Sequence, residues 1–151
     1  MKLLDDLESE IAVHDVMVAY MAACDLHDAD AVADLFHEDG VWKSRLQPDE
    51  PIIGREAIRA TFREACARLS FCVHYLTNES IVVDGSKAHA RWRYFEPAIN
   101  RGDLAVWTAG RYWHEFTRRD GLWRFQNFEI EPVLASPYES GWAVAPKVAL
   151  D

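Results

Sequence analysis

One carboxylate near the start of the chain has no obvious local role. Asp25 lies in the stretch "YMAACDLHDAD", where an apolar segment that is predicted to be a helix comes to its end. Asp28 and Asp30 account for the cap and first turn of the next predicted helix, so Asp25 is not needed for either. A carboxylate on the wall of an apolar pocket can act as a base, or can hold a histidine in one tautomer.

His74 is a second candidate for proton transfer, in the stretch "FCVHYLTNES". It sits among apolar residues, directly after a predicted helix and directly before the predicted sheet. A histidine on an apolar face is most often a hydrogen-bonded core residue. An imidazole also titrates near neutral pH and can carry protons, so both roles stay open on residue type alone.

Tyr20 is a third candidate, because a buried tyrosine ring still needs a partner for its hydroxyl. That partner can be another core group, or it can be a substrate carbonyl, enolate or phenolate that the hydroxyl polarises. Tyr20 and Asp25 are five residues apart and would not share one face of an ideal helix. Their convergence on one ligand requires the helix to end or loosen before Asp25.

Two polar side chains share one face of the predicted strand "GRYWHEF". Tyr112 and His114 point to one side of this strand, and Arg111 and Trp113 point to the other. Alternation does not tell which side faces a pocket. If the first pair points inward, both residues are candidates for substrate binding.

No metal site or cofactor site is predicted. Asp25-x-His27 and His37-Glu38-Asp39 could each offer two ligands, but no third ligand is indicated for either. The sequence contains no Ser/His/Asp motif, phosphate loop or dinucleotide fingerprint.

Composition limits the classes of function. The 151 residues suit a single domain, residues 1–151, and their six tryptophans, five tyrosines and seven phenylalanines suit a core and a pocket for an apolar ligand. A net charge of −9 argues against binding to nucleic acid or to an anionic membrane. The acidic start "MKLLDDLESE" argues against export, and three cysteines without C-x-x-C spacing favour a reducing compartment, so we expect a cytoplasmic protein.

Three helices are predicted in the first half of the chain. The first spans Leu4 to about Cys24 and carries two apolar stripes, so we expect it to be covered on most sides. The stripes are Leu4, Leu7, Ile11, Val18 and Met21, and Val13, Met17, Tyr20 and Cys24. "DADAVADLF" is predicted as a short second helix and "GREAIRATFREACARL" as an amphipathic third.

The remaining segments indicate strands and a loop. "EDGVWKSR" predicts a turn at Asp39-Gly40 and a short strand, and the prolines of "QPDEPIIG" predict a loop. Asp84-Gly85 and Asp120-Gly121 each predict a hairpin between long strands. Helices segregated from antiparallel strands make an α+β domain, in which three helices close one side of a curved sheet.

Four segments in this order resemble the SnoaL-like branch of the NTF2-like superfamily. They are "DLHDADAVADLF", "GREAIRATF", "HYLTNESIVVDG" and "GRYWHEFTRRDGLWRF", within about residues 5–132. The resemblance implies a cone-shaped α+β barrel around a hydrophobic pocket. Residues 133–151 would be a C-terminal tail that covers the pocket mouth or another subunit.

The resemblance also implies roles for particular residues. Dehydratases of this superfamily carry an aspartate and a histidine at the positions that match Asp25 and His74, which implies a catalytic dyad. A tyrosine of bile-acid dehydratase matches Tyr20, which implies that this hydroxyl steadies a developing oxyanion.

Other positions would contact the substrate. Tyr112 falls where the dehydratases place a polar binding group, and we expect Trp42 and His114 to take part as well. Cys24 and Trp42 lie where scytalone dehydratase has tyrosines, which argues against scytalone itself as a substrate.

The predicted function is that of a cofactor-independent lyase, dehydratase-like, acting on a hydrophobic, hydroxylated compound that is aromatic or polycyclic. The same groups could drive a retro-aldol loss of a small aldehyde such as formaldehyde. The alternatives are an isomerase or cyclase, or a non-catalytic ligand-binding protein or small subunit of a ring-hydroxylating dioxygenase. The family resemblance favours a homodimer or homotrimer through the outer face of the sheet.

Overall fold

Helices and strands segregate along the chain, as the α+β prediction requires. The computed structural model describes residues 2–144. The helices are α1 Lys2–Asp25, α2 Ala29–Asp34, α3 Arg55–Arg68 and a short α4 Gly141–Val144. The strands are β1 Phe36–Ser44, β2 Gln47–Ile53, β3 Leu69–Cys72, β4 Tyr75–Asp84, β5 Lys87–Asn100, β6 Leu104–Arg119 and β7 Leu122–Pro137.

The strands form one seven-stranded sheet in the order β2-β1-β7-β6-β5-β3, with β4 also paired to β5. Every pairing is antiparallel except that of β1 with β7. β3 and β4 pair with opposite ends of the long β5, so that β2 lies at one edge and the β3/β4 pair at the other. The helices cover the inner face of this curved sheet, which stays open rather than closing into a barrel.

The first helix buries one of its two apolar stripes and, of the other, only the last member, Met21. Val13 and Met17 are fully buried, whereas Ile11 is 61% exposed and Leu4 is 59% exposed. The prediction of a helix covered on most sides is therefore wrong. α1 meets α2 and the inner face of the sheet on one side, and no element of the described chain covers its other side.

The prediction of a loop at "QPDEPIIG" is wrong, because this segment forms strand β2. It lies at the edge of the sheet, where proline is tolerated since half of the backbone N–H groups need no partner. The predicted turn at Asp39-Gly40 is instead an irregularity inside β1, where the register with β7 shifts between Phe36 and Val41.

Both predicted hairpins form, with one difference in the loop. Arg119 pairs with Leu122, so Asp120 and Gly121 are the two loop residues, both with positive φ as this turn requires. In the first hairpin Asp84 pairs with Lys87, so the loop is Gly85-Ser86 rather than Asp84-Gly85.

The C-terminal segment extends the sheet beyond the predicted end of the core. β7 runs five residues past position 132, to Pro137. Tyr138 and Trp142 then pack against Trp107, with ring centroids 5.6 and 5.7 Å away. The rest of the predicted tail, residues 145–151, lies outside the described residues.

Aromatic side chains fill the part of the fold beside the first half of β5. Phe36, Phe116, Phe125 and Phe128 are fully buried, and the Tyr20 ring lies 4.6 Å from that of Phe128. Much of the aromatic content is therefore core rather than pocket wall. None of the helices in the described range is long and apolar enough to cross a membrane.

Candidate functional site

Asp25 and His74 are in direct contact. Asp25 Oδ1 lies 2.6 Å from His74 Nδ1 and also accepts the backbone N–H of His74 at 3.1 Å. The His74 side chain is 9% exposed and that of Asp25 is 28% exposed. A carboxylate at Nδ1 favours the tautomer with its proton on that nitrogen, which leaves Nε2 free to accept a proton.

Chain geometry explains why these two residues meet. Asp25 is the last residue of α1, and the chain turns there through His27, which has a positive φ of 56°. His74 stands in the break between β3 and β4, next to the bond from the Val73 N–H to the Pro97 carbonyl. The helix end and the strand break bring the two side chains into contact.

Glu96 lies on the other side of the imidazole. Its Oε2 is 3.5 Å from His74 Nε2, and its side chain is 18% exposed. Burial raises the pKa of the Glu96 carboxyl; positive charge on His74 lowers this pKa, and the charge of Asp25 raises it further. His74 thus stands between two carboxyl groups.

Sequence reasoning missed Glu96, although a signal for it exists. Trp92 and Tyr94 point inward at alternate positions of β5, and Glu96 continues that row. An acid on the inward row of a strand departs from the usual alternation and would have marked it as a candidate.

A cavity of about 240 Å³ lies at the second half of β5. Tyr94, Glu96 and Ala98 form one wall of it, Thr108 of β6 forms another, and Arg68 and Leu69 close it near the end of α3. The Tyr94 hydroxyl is buried without a hydrogen-bond partner in the described structure. Glu96 both lines this cavity and contacts His74, so it joins the cavity to the Asp25–His74 pair.

Tyr20 does not join that group. It is 4% exposed and packs among phenylalanines, with its hydroxyl near Cys24 and Trp42. α1 stays helical through Asp25, so Tyr20 and Asp25 lie about 140° apart around the helix. The condition for their convergence is not met, and Tyr20 is not among the residues that line the cavity. Burial raises the pKa of its hydroxyl, which keeps the group protonated.

Trp42 is a neighbour of Tyr20 rather than of His74. Its ring stacks on Phe128 at 6.3 Å and meets the edge of Phe62. Its indole N–H is buried and has no hydrogen-bond partner among the residues that the structure describes. Its predicted role in substrate binding stays a prediction.

Tyr112 and His114 both point inward, which answers the question that alternation leaves open. Tyr112 stacks on Tyr94 with centroids 4.5 Å apart and forms part of the packing behind the cavity wall. His114 is 2% exposed and stacks on Phe128 at 4.1 Å, and burial lowers its pKa to about 3. The imidazole of His114 is therefore a neutral core ring, away from the residues that line the cavity.

A thiol completes the surroundings of His74. The ligand atoms of Asp25, Cys72 and His74 lie within 4.8 Å of one another, and Cys72 Sγ is 3.6 Å from His27 Nε2. Such a set could hold a metal ion by geometry. Burial and the charges of Glu96 and Asp25 raise the pKa of the Cys72 thiol to about 12, which opposes the thiolate that a metal needs.

Comparison with solved structures places the fold in the NTF2-like superfamily. A proposed aromatic ring hydroxylase from Novosphingobium aromaticivorans is 30% identical, with a TM-score of 0.80 over 87% of this chain and 94% of that chain. A proposed scytalone dehydratase from the same species is 20% identical, with a TM-score of 0.80 over 96% of both chains. Hexachlorocyclohexane dehydrochlorinase LinA from Novosphingobium barchaimii is 21% identical, with a TM-score of 0.78 over 87% of this chain and 90% of that chain.

Within that superfamily, the chain belongs to the SnoaL-like domain family. The sequence profile of this family matches residues 5–129, which is most of the chain and contains Asp25, His74 and Glu96. No curated protein sequence matches it.

Proposed function

We propose that this protein is a cofactor-independent lyase that removes water from a hydroxylated, hydrophobic small molecule. The observation that carries the proposal is the 2.6 Å contact between Asp25 and His74, beside a cavity that can admit a ligand. Asp25 orients the imidazole, and His74 Nε2 takes a proton from the carbon next to the one that bears the hydroxyl. General base catalysis of this kind contributes about 10²–10⁴-fold.

The comparisons support elimination as the class of chemistry. One structural relative is described as a scytalone dehydratase and another as a hexachlorocyclohexane dehydrochlorinase. Both descriptions denote the loss of a small molecule from neighbouring carbon atoms. At identities of 20% and 21% these relatives share the fold with this chain, so the Asp25–His74 geometry must carry the assignment.

The size of the cavity supports a small substrate. Its volume of about 240 Å³ exceeds that of a cavity that holds benzene, about 150 Å³, and is below the range of about 300–1,000 Å³ of pockets for drug-sized ligands. A single-ring compound with short substituents fits these limits better than a polycyclic one. Val106 and Ile130 supply apolar walls, and Glu96 supplies a polar end.

The test measures turnover of β-hydroxycyclohexanone, a single-ring compound that loses water to give cyclohexenone. We expect the wild type to form cyclohexenone, which ultraviolet absorbance detects. His74→Ala should lower kcat by about 10²-fold or more, because general base catalysis supplies a factor of that order. Asp25→Asn should lower it by less, since the imidazole remains.

The control variant is His89→Ala, because His89 is an exposed histidine of β5 that lies on the outer face of the sheet. Activity of His89→Ala should equal that of the wild type. If the compound quenches tryptophan fluorescence and so binds, but is not turned over, the protein is a binding module. Copurification with an iron–sulfur protein would instead indicate a dioxygenase subunit.

A further inference from the structure

Loss of hydroxide from carbon needs a proton source, and the Asp25–His74 pair does not supply one. Its imidazole takes the proton from carbon in the proposed function, and Asp25 is occupied by the imidazole Nδ1 and the backbone N–H of His74. Two further polar residues of β5 belong to the wall of the same cavity. They are Glu96 and Tyr94, two positions apart on the inward row of the strand.

We propose that Glu96 is the general acid that protonates the departing oxygen, and that the Tyr94 hydroxyl donates a hydrogen bond to that oxygen. This inference rests on the proposed function and assigns its second catalytic group. The ligand that fits is a single-ring compound whose hydroxyl lies next to an acidic C–H bond.

The position of Tyr94 supports a ligand contact there. Tyr94 is a wall residue of the cavity, and its hydroxyl is buried with no hydrogen-bond partner in the described chain, a state that costs about 1–3 kcal/mol for a buried polar group. The ring is held between Tyr112, at 4.5 Å, and Gly110, where an added Cβ would lie 2.7 Å from Tyr94 Cε1. A bound hydroxyl would supply the missing partner of a donor that packing already holds in place.

The positions of Glu96 and His74 define a complete proton cycle. At the start Asp25 is a carboxylate, His74 carries a proton on Nδ1 only, and Glu96 is protonated. The proton on carbon moves to Nε2, its electron pair forms the double bond, and the C–O bond breaks with its pair on oxygen. That oxygen takes the proton of Glu96 and leaves as water.

The proton returns along a short path. After the elimination His74 is an imidazolium and Glu96 is a carboxylate, with Nε2 and Oε2 3.5 Å apart. Transfer across this gap restores both groups, so no proton is exchanged with solvent in the cycle. Burial and Asp25 raise the pKa of Glu96 in the starting state, while a charged His74 lowers it, as the two ends of this cycle require.

The short gap also determines stereochemistry. A base and an acid 3.5 Å apart address the C–H and C–O bonds from one side of the substrate, so the elimination should be syn. Opposite sides of the bond would need the two groups to flank the substrate.

The main experiment compares two leaving groups on one ring, using β-hydroxycyclohexanone and β-chlorocyclohexanone as probes. Chloride departs without a proton, so Glu96→Gln should lower kcat about 10²-fold or more for the hydroxyl compound only. For the chloro compound, the kcat of Glu96→Gln should stay within a factor of about three of the wild-type value. His74→Ala should lower kcat for both. Tyr94→Phe should raise KM for the hydroxyl compound and leave KM for the chloro compound unchanged.

Equal losses on both probes, or none on either, would overturn the acid role of Glu96. Deuterium placed syn to the hydroxyl should be lost, and loss of anti deuterium would overturn the arrangement. If the wild type turns over neither probe, the proposed function fails instead.

A further readout needs no turnover. The infrared spectrum of the wild type at neutral pH should show the carbonyl stretch of a protonated carboxyl, and this band should vanish in Glu96→Gln. Its absence from the wild type would overturn the acid role whatever the reaction. If Glu96→Gln does not fold by circular dichroism, Glu96→Asp serves in its place, with the band kept and kcat reduced for the hydroxyl probe.

Discussion

Asp25 holds His74 at two points, with its carboxylate 2.6 Å from the imidazole Nδ1 and 3.1 Å from the backbone nitrogen of the same residue. The two contacts fix both the ring and the strand break that carries it. The pair joins the end of α1 to the start of β4, which are 49 residues apart in sequence.

Loss of the carboxylate should therefore destabilise this junction. We expect Asp25→Ala to lower the free energy of unfolding by about 1.5–3 kcal/mol, the range for a hydrogen bond to a charged group. Urea unfolding measures this change, and a downfield proton NMR signal of the His74 ring should disappear with it. The control is Asp15→Ala on the same helix, where the carboxylate is exposed, and equal losses in the two variants would contradict the prediction.

Acid should destabilise the fold through His114. Burial lowers the pKa of this imidazole to about 3, whereas an unfolded histidine titrates near about 6.5. Between these values the unfolded chain binds a proton that the folded chain does not. The free energy of unfolding should therefore fall as pH drops from about 6.5 towards 3, by about 1.4 kcal/mol per pH unit from this group.

His114→Phe removes that dependence and keeps an aromatic ring beside Phe128. Urea unfolding of both proteins at pH values between 4 and 7 gives the free energy of unfolding as a function of pH. This free energy should depend less steeply on pH in the variant, by the slope that one bound proton contributes. His37 is also buried with a lowered pKa, but it contributes equally to both proteins and cancels in the difference. Parallel curves would show that His114 is charged in the folded state.

Gly110 should tolerate no side chain. A Cβ there would collide with the backbone carbonyl of Glu131 and lie 2.7 Å from Tyr94 Cε1. We expect Gly110→Ala to lower the free energy of unfolding by about 1–3 kcal/mol, because neither neighbour can move without repacking the wall of the cavity. Urea unfolding measures the loss, and wild-type stability in this variant would mean that the strands separate freely at this point.

The two stripes of α1 should respond differently to substitution. Met17 is fully buried, so Met17→Ala should cost about 2–5 kcal/mol of unfolding free energy. Ile11 is 61% exposed, so Ile11→Lys should change that free energy by no more than about 0.5 kcal/mol. Urea unfolding of both variants at low protein concentration provides the measurement. A large loss in Ile11→Lys would show that this stripe is covered in solution.

Local signals in the sequence were enough for most elements of the fold. Asp28 caps α2 by accepting the Ala31 N–H, and the turn at Asp120-Gly121 forms where its residue types predict. Caps and tight turns depend on a few adjacent residues, so their chemistry can be recognised without the rest of the chain. The strand β2 was missed because proline is read as a loop residue unless the sheet edge is known.

The candidate site was only partly predictable, because the surroundings of its side chains depend on distant parts of the chain. Residue types and family resemblance singled out Asp25 and His74, and the structure brings them together. Glu96 was missed because a carboxylate in a strand is normally solvent-facing, although it continues the inward row of Trp92 and Tyr94. Tyr20 was predicted at the site, but α1 remains helical through Asp25 and directs the tyrosine into the aromatic core.

By itself the sequence determined the α+β class and the two long hairpins, because periodicity and turn chemistry act over short stretches, and family resemblance added Asp25 and His74 as candidates. Only the tertiary structure decided which stripe of α1 is buried, which way Tyr112 and His114 point, and that Glu96 lies against His74. Each of these depends on the partner that packs from a distant part of the chain. Burial is a property of that packing, and no single segment specifies it.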